Sequence, residues 1–361
     1  MPAYQHLLAA GAPVLRRVLP AFCALLLIGL CLSACERGPH REVLSGATMG
    51  TSWSVIYAAA ADIDASPKAL QALVEDELLQ INQALSTYIA DSEISQVNAL
   101  PNDEPVVLSP RFALVLEEAL AVGQLTDGAY DVTVGPLVDL WGFGASSRTS
   151  EPPAASAISA AKALVGAGQL SWDASSSTLR RPGGMRIDLS SVAKGYAVDR
   201  LSELLAERGI VDSLVEIGGE LRASGQRPEG GPWRLAVESP DPAQARFIEA
   251  LSVSNVAVAT SGDYRNFFEH QGRRYSHLVD PRTGYPVAHE LVSVTVVDPS
   301  CMRADALATA LLVLGLDRAI SLAEEQGIAA HFVSRGESAL EVHYTSRFAA
   351  YRQNVQSRPE S

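Results

Sequence analysis

Four stretches of the chain set acids, hydroxyls, a lysine or a histidine beside glycines inside otherwise apolar surroundings. In DLSSVAKGYAVD (188–199) the acid and the serines stand just before a helix-like run. A helix start carries free backbone N–H groups and the positive end of the dipole, so it suits phosphate. Asp188 and Lys194 would add hydrogen bonding and charge there, although spacing alone equally allows Asp188 or Ser190 as a plain cap and Lys194 on the surface. In RADALAT (303–309), Asp305 and Thr309 are four apart and share a helix face. A carboxylate among alanines and leucines costs free energy unless it is capped, paired or bound to metal. Oxygen ligands favour a hard cation such as Mg²⁺, with substrate phosphate oxygens completing its shell; taken alone, Asp305 reads more simply as a first-turn carboxylate. In YSHLVDPRTGYP (275–286), Asp-Pro and Thr-Gly mark a tight turn after a strand and leave His277 near the strand end. A general acid/base or phosphate donor is often placed so, and a lone histidine is often structural. The glycines and aromatics of TDGAYDVTVGPLVDLWGFG (126–144) suit a backbone that approaches a planar ligand, and equally the packing of Trp141 and Phe143 into a core.

The N-terminus bears on where such chemistry would take place. Arg16 and Arg17 precede an apolar run over 18–32, and Leu32-Ser33-Ala34-Cys35 follows. This pattern predicts a secretory leader, 1–34, too short to be a settled transmembrane helix. The Leu-Ser-Ala-Cys ending resembles the bacterial lipobox, which implies cleavage before Cys35 and lipid on its sulfur. Glu36 follows and does not decide between inner and outer membrane sorting. Of the four cysteines, Cys23 and Cys31 lie in the leader and Cys35 would be lipidated. That leaves Cys301 alone, expected to be a buried apolar residue rather than half of an internal disulfide. The formal net charge is −13, more negative still without the leader's two arginines. A chain so acidic and without a basic stripe is a poor nucleic-acid binder.

The elements that must position these residues read as follows. Residues 35–45 form a tether, 51–58 alternate like a strand, and 67–85 show the apolar spacing of an amphipathic helix. A helix over 110–126 starts at Ser109 with Pro110 at its first position. Residues 145–155 form a Ser/Pro-rich loop. Short strands are expected at 168–171, 178–180 and 184–188, then a helix over 192–208 ending at Gly209. Further strands fall at 213–217, 233–237, 250–258, 275–279 and 292–297. Helices over 303–314 and 317–326 and strands at 329–333 and 340–343 complete the domain, 46–345. A polar tail, 346–361, follows, with disorder expected after Tyr351. Strands and helices interleave without a sustained βαβ rhythm, which makes the fold α+β.

Read together and in order, these pieces resemble the ApbE family of FAD:protein FMN transferases, from about residue 45 to 315. The resemblance also rests on TMGT (48–51), STY (86–88) with SEI (92–94), IGGE (217–220), ATSGDYRNFF (259–268) and ADALATALLVLG (304–315). It implies an α+β, T-fold-like, two-lobed domain with FAD between the lobes. Met49, Tyr88, Ala129, Tyr130, Asp131, Asp188, Lys194 and Val279 would line the FAD site. Asp305, Thr309 and an oxygen of Ser191, its backbone carbonyl, would hold Mg²⁺. His277 would stand near the reacting phosphate, with Asp280 a rival base. The implied reaction is attack by a threonine hydroxyl of a target protein on the FMN-side phosphorus of FAD, releasing AMP. The acceptor would be a membrane respiratory or electron-transfer subunit, met from the periplasmic side of a bacterial inner membrane. Water in place of threonine would make the same site an FAD pyrophosphatase, and no turnover would leave a flavin-binding lipoprotein. The chain departs from the family pattern twice: Glu216 stands where many members carry Asn, and Ala308 where some carry a second aspartate.

Overall fold

The computed structural model describes residues 40–59, 66–145, 150–241, 247–264 and 266–353. The chain divides into two contact units, Met1–His40 and Arg41–Ser361. Of the first only His40 is described, so the leader and Cys35 lie outside the described residues, as do 146–149 of the expected loop and 354–361 of the expected tail.

Strands β1 (His40–Thr48) and β2 (Thr51–Ala59) come first, then helices α1 (Pro67–Leu85) and α2 (Glu93–Ala99). Strand β3 (Val106–Val107) leads into α3 (Pro110–Leu125), α4 (Gly135–Leu140) and α5 (Ala155–Lys162). Strands β4 (Ser171–Asp173) and β5 (Thr178–Arg180) precede α6 (Ser190–Ala206). A run of strands follows: β6 (Ser213–Ile217), β7 (Glu220–Ser224), β8 (Trp233–Glu238), β9 (Phe247–Val253) and β10 (Val256–Gly262). It continues with β11 (Phe267–His270), β12 (Arg273–Ser276), β13 (Val279–Asp280), β14 (Tyr285–Pro286) and β15 (Leu291–Asp298). Helices α7 (Cys301–Leu314) and α8 (Leu316–Glu325) then lead to β16 (Ala329–Arg335) and β17 (Leu340–Tyr344).

Eight strands make the main sheet, in the order β1-β2-β6-β7-β10-β15-β16-β17, with antiparallel pairing from β2 onward. Its period-2 alternation sorts side chains between two cores. Ala257, Ala259, Val294, Val296, Ala330 and Phe332 point to the large core. Their neighbours Val256, Val258, Val297 and Ala329 point the other way, into a smaller core closed by Trp233, Val237, Leu251, Val253 and Phe348. The central strands are therefore covered on both faces. This explains why β15 reads as a nearly continuous apolar run and not as an alternating one. Helix α7 packs on β10 and β15 and is covered in turn by α6 and α3. Such a helix is buried almost all round, which accounts for its lack of a polar stripe.

Several boundaries differ from the sequence reading for local reasons. β1 begins at His40, within the stretch read as tether, because 40–45 belong to the edge of the main sheet. Residues 250–258 are not one strand: Asn255, at φ 56°, turns the chain between β9 and β10. Residues 275–279 break after Ser276, whose Oγ accepts the Leu278 N–H, and His277 falls in the gap. The strand expected at 184–188 reduces to a single bridge between Arg186 and Val134, since Asp188 N–H turns to the Val132 carbonyl. Residues 167–169 form a 3₁₀ turn, with β4 starting only at Ser171. Within the expected tail, Phe348–Tyr351 form a 3₁₀ turn and Phe348 is fully buried.

Phe348 packs 5.3 Å from the ring of His331, which is itself fully buried. Neither nitrogen of His331 finds a hydrogen-bond partner among the described residues. Burial, helped by Arg352, pushes its pKa down from 6.5 to about 4. The neutral ring therefore contributes stability that is full above pH 6.5 and declines as pH falls towards 4, by up to about 3 kcal/mol. Urea unfolding at pH 7.5 and 4.5 should show a smaller acid loss in His331→Leu than in the parent protein.

Candidate functional site

A cleft of about 360 Å³ opens beside the α6–α7 pair. Residues adjoining the large core line it, among them Tyr130, Leu278 and Val313, and so do Val134, Phe143 and Val279 from a third cluster around Trp141. The cleft thus lies between two apolar bodies within the one unit 41–361.

Its floor is set by how closely α6 and α7 approach. Gly195 faces the start of α7 so tightly that an added Cβ would fall 2.3 Å from the Cys301 carbonyl oxygen and 2.8 Å from Asp305 Cβ. One turn on, Asp199 accepts the N–H groups of Cys301 and Met302, both at 3.0 Å, and the Ser300 hydroxyl at 2.9 Å. A carboxylate from one helix so satisfies free donors at the N-terminus of the other and matches its dipole. Arg222 pairs with Asp199 from the far side. In return, Asp305 Oδ2 accepts the Gly195 N–H at 3.0 Å. In an α-helix that N–H belongs to the carbonyl of Ser191, so the Ser191 oxygen shares its donor. Ser191, Gly195 and Asp199 are successive i, i+4 positions on α6 that run antiparallel to Thr309, Asp305 and Cys301 on α7. Ser191, Asp305 and Thr309 all line the cleft, and Thr309 Oγ1 lies 2.9 Å from Ser261 Oγ.

Lys194 reaches in from α6. Its Nζ is 2.7 Å from Glu220 Oε2 and 3.8 Å from Asp305 Oδ1. Burial pushes both carboxyls up, Glu220 to about 7, against the pull of the lysine. Burial opposes the lysine's charge too, but Asp305 and Glu220 outweigh it and hold the ammonium protonated. Tyr130 is buried with its hydroxyl accepting from Ser191 Oγ at 2.9 Å, and burial raises its pKa. Across the cleft, His277 sits between β12 and β13 with Nδ1 3.0 Å from the Asn266 carbonyl. A carbonyl only accepts, so Nδ1 carries the proton and Nε2 keeps its lone pair. Burial holds this imidazole's pKa below 6.5, with Lys194 adding to the effect.

The structure brings Tyr88, Ala129, Tyr130, Asp131, Asp188, Ser191, Lys194, His277, Val279, Asp305 and Thr309 to this cleft. Met49 and Asp280 do not line it. Met49, at φ 50°, forms with Gly50 the two-residue turn between β1 and β2 and packs on the large core. The Asp280 carboxylate accepts Arg282 Nε and Nη2 at 2.9 and 2.8 Å and the Arg282 backbone N–H at 2.8 Å, a turn-building arrangement that leaves it poorly suited as a base. Asp131, though at the cleft, is spent on Thr133 and the Ala167 N–H. Glu220, Ser261 and Asn266 line the site without having been assigned a role from sequence. All three lie inside motifs noted above, but Glu220 and Ser261 meet their partners, Lys194 and Thr309, only through the fold.

Ser191, Asp305 and Thr309 together offer one carboxylate and neutral oxygens. No group of three or more His, Cys, Asp or Glu suited to a metal occurs among the described residues. Ala308, where a second acid would stand, is buried in the large core. This donor set, with a carboxyl that burial destabilises as an anion, fits a hard cation that takes its remaining ligands from a phosphate.

The family model described as ApbE matches residues 49–332. The chain belongs to the ApbE family. It is 40% identical to the FAD:protein FMN transferase of Vibrio cholerae over 322 residues, 89% of this chain and 96% of that protein. To the Haemophilus influenzae protein of the same name it is 39% identical over 326 residues, 89% of this chain and 94% of the other. The solved flavin transferase ApbE from Vibrio cholerae superposes with a TM-score of 0.82 at 39% identity, covering 87% of this chain and 99% of that one. The apo form of the Pseudomonas stutzeri flavinyl transferase ApbE gives 0.81 at 40%, covering 87% and 97%. The α+β fold expected of the family is the fold observed.

Gly195→Ala would force α6 from α7 and move Asp305 with it. Overpacking of this kind costs about 1–3 kcal/mol. Thermal melts should show the loss, and Ala197→Gly, on the same helix but away from the crossing, should not shift the geometry of Asp305 in a crystal structure.

Proposed function

We propose that this chain transfers FMN from FAD to a threonine hydroxyl of an acceptor protein and releases AMP. The supporting observation is the tautomer of His277: Nδ1 is committed to the Asn266 carbonyl, and Nε2 is left to accept a proton in the cleft that holds Lys194, Asp305 and Thr309. FAD would lie along the wall made by Tyr88, Ala129, Tyr130, Asp188 and Val279, its pyrophosphate toward the lysine. Asp305, Thr309 and an oxygen of Ser191 would hold Mg²⁺, which when bound neutralises the pyrophosphate and stabilises AMP as leaving group.

Two of the chain's own residues then act. His277 Nε2 takes the proton of the acceptor hydroxyl as its oxygen bonds to the FMN-side phosphorus. The bond from that phosphorus to the bridging oxygen breaks, and the electron pair leaves with AMP. Lys194 holds positive charge beside the phosphates throughout.

The full chain, incubated with FAD, Mg²⁺ and a flavin-accepting protein, should release AMP and give a fluorescent acceptor band on a denaturing gel. Asp305→Ala should lose both signals. AMP without a labelled band would point to hydrolysis, and intact FAD in every tube to flavin binding without turnover. His277→Ala should slow transfer by about 10²–10⁴-fold. Because burial lowers the His277 pKa, the base stays neutral through pH 7, and the acid limb of kcat/KM should fall below pH 6.5.

The same reading puts the chain on the periplasmic face of a bacterial inner membrane, tethered by lipid on Cys35, with a respiratory or electron-transfer subunit as acceptor. The Leu-Ser-Ala-Cys sequence after an apolar run supports it. Cys35→Ala should move the protein to the soluble periplasmic fraction; persistent membrane association would count against the anchor.

A further inference from the structure

We infer that Glu220 is a positioning residue for the cation site: it draws Lys194 to one side, so that Asp305 stays open to a divalent cation. The inference rests on the metal reading given above. Lys194 reaches between two carboxylates that are each 2% exposed, 2.7 Å from Glu220 Oε2 and 3.8 Å from Asp305 Oδ1. The ammonium has three N–H donors, yet it closes on Glu220 alone and leaves Asp305 beyond hydrogen-bond range; attraction between buried charges rises steeply as they close. A move of about 1 Å would bring Nζ to hydrogen-bond range of Asp305. The one carboxylate on this face of α7 would then be neutralised as a ligand.

The fold opposes that move by placing Glu220 on a rigid support. Glu220 opens β7 opposite Ile217 of β6. The turn between them is clasped by Glu216, whose Oε1 accepts the Gly219 N–H at 2.7 Å. This gives Glu216, the departure from the family pattern, a part in fixing Glu220. On the other side, Asp305 Oδ2 is held by the Gly195 N–H, which leaves Oδ1 facing the lysine across the 3.8 Å gap. Two buried acids against one lysine leave the pocket with an excess of acid, which favours the entry of a cation. The competing role is purely structural, with Glu220 doing no more than satisfying a buried lysine.

Mn²⁺ binding to the full chain, followed by electron paramagnetic resonance without FAD or acceptor, separates the two. Glu220→Gln should weaken Mn²⁺ binding about tenfold or more as Lys194 moves onto Asp305. Lys194→Met should bind Mn²⁺ at least as tightly as the parent protein. Adding Lys194→Met to Glu220→Gln should bring affinity back to within about threefold of it. Unchanged binding in Glu220→Gln, or a loss that Lys194→Met does not relieve, would overturn the inference. If Glu220→Gln does not fold, Lys194→Met decides, because weaker binding there contradicts competition between lysine and cation. Failure of the parent protein to bind Mn²⁺ would instead remove the metal reading, and this inference with it.

Discussion

The contact between α6 and α7 constrains everything else in the cleft. Gly195 lets the helix backbones touch, Asp199 closes the N-terminus of α7, and Asp305 returns a hydrogen bond to Gly195. These interactions fix the rotation and the axial register of one helix against the other. Because Ser191 and Thr309 continue the same two rows by one turn, fixing the register brings their oxygens to the cleft as well. Side chains on packed helices are placed more firmly than side chains on loops. Two of the three groups that would hold a cation, Asp305 and Thr309, stand on a helix buried almost all round.

Burying Asp305 and Glu220 beside one lysine is costly, since an ion removed from water needs close and complete compensation. The raised carboxyl pKa values express that shortage. Stability does not require such a cluster, because apolar side chains of similar volume would pack at lower cost. What the arrangement provides is a pocket with one more acid than base, which attracts positive charge. A hard cation that takes its remaining ligands from a phosphate would offset that excess at Asp305, which links the electrostatics of the site to the chemistry proposed for it.

Much of this was legible in the sequence, for identifiable reasons. α1 announces itself through its apolar spacing, and α3 through the Ser109 cap with Pro110 at the first position. Asp305 and Thr309 share a face because four residues separate them on any helix. What the sequence concealed depends on contacts between distant segments. Asp199 closes one of the motifs, yet the helix start it caps, Ser300 to Met302, is about a hundred residues away. Glu220 gains meaning only when β7 brings it to Lys194. The resemblance offered Asp280 as a rival base, and local geometry spends it on Arg282. The break at Ser276 was equally hidden, since a serine inside an apolar-aromatic run gives no sign of whether its hydroxyl will take a backbone N–H.

That break has a mechanical consequence. Had 275–279 been one strand, His277 would point to a face set by the alternation of its neighbours. Released from the ladder, it is held instead by the Asn266 carbonyl, which receives both its backbone N–H and its Nδ1. One carbonyl thus sets both the position and the tautomer of the ring. The two sides of the cleft are built on different principles: helix packing fixes the oxygens and the lysine, and one bifurcated acceptor fixes the imidazole. The rigid side suits groups that must hold a charge in place. The side resting on a short loop would suit the base proposed above, which would gain a proton and release it again, because the Asn266 carbonyl engages Nδ1 and leaves Nε2 for the proton.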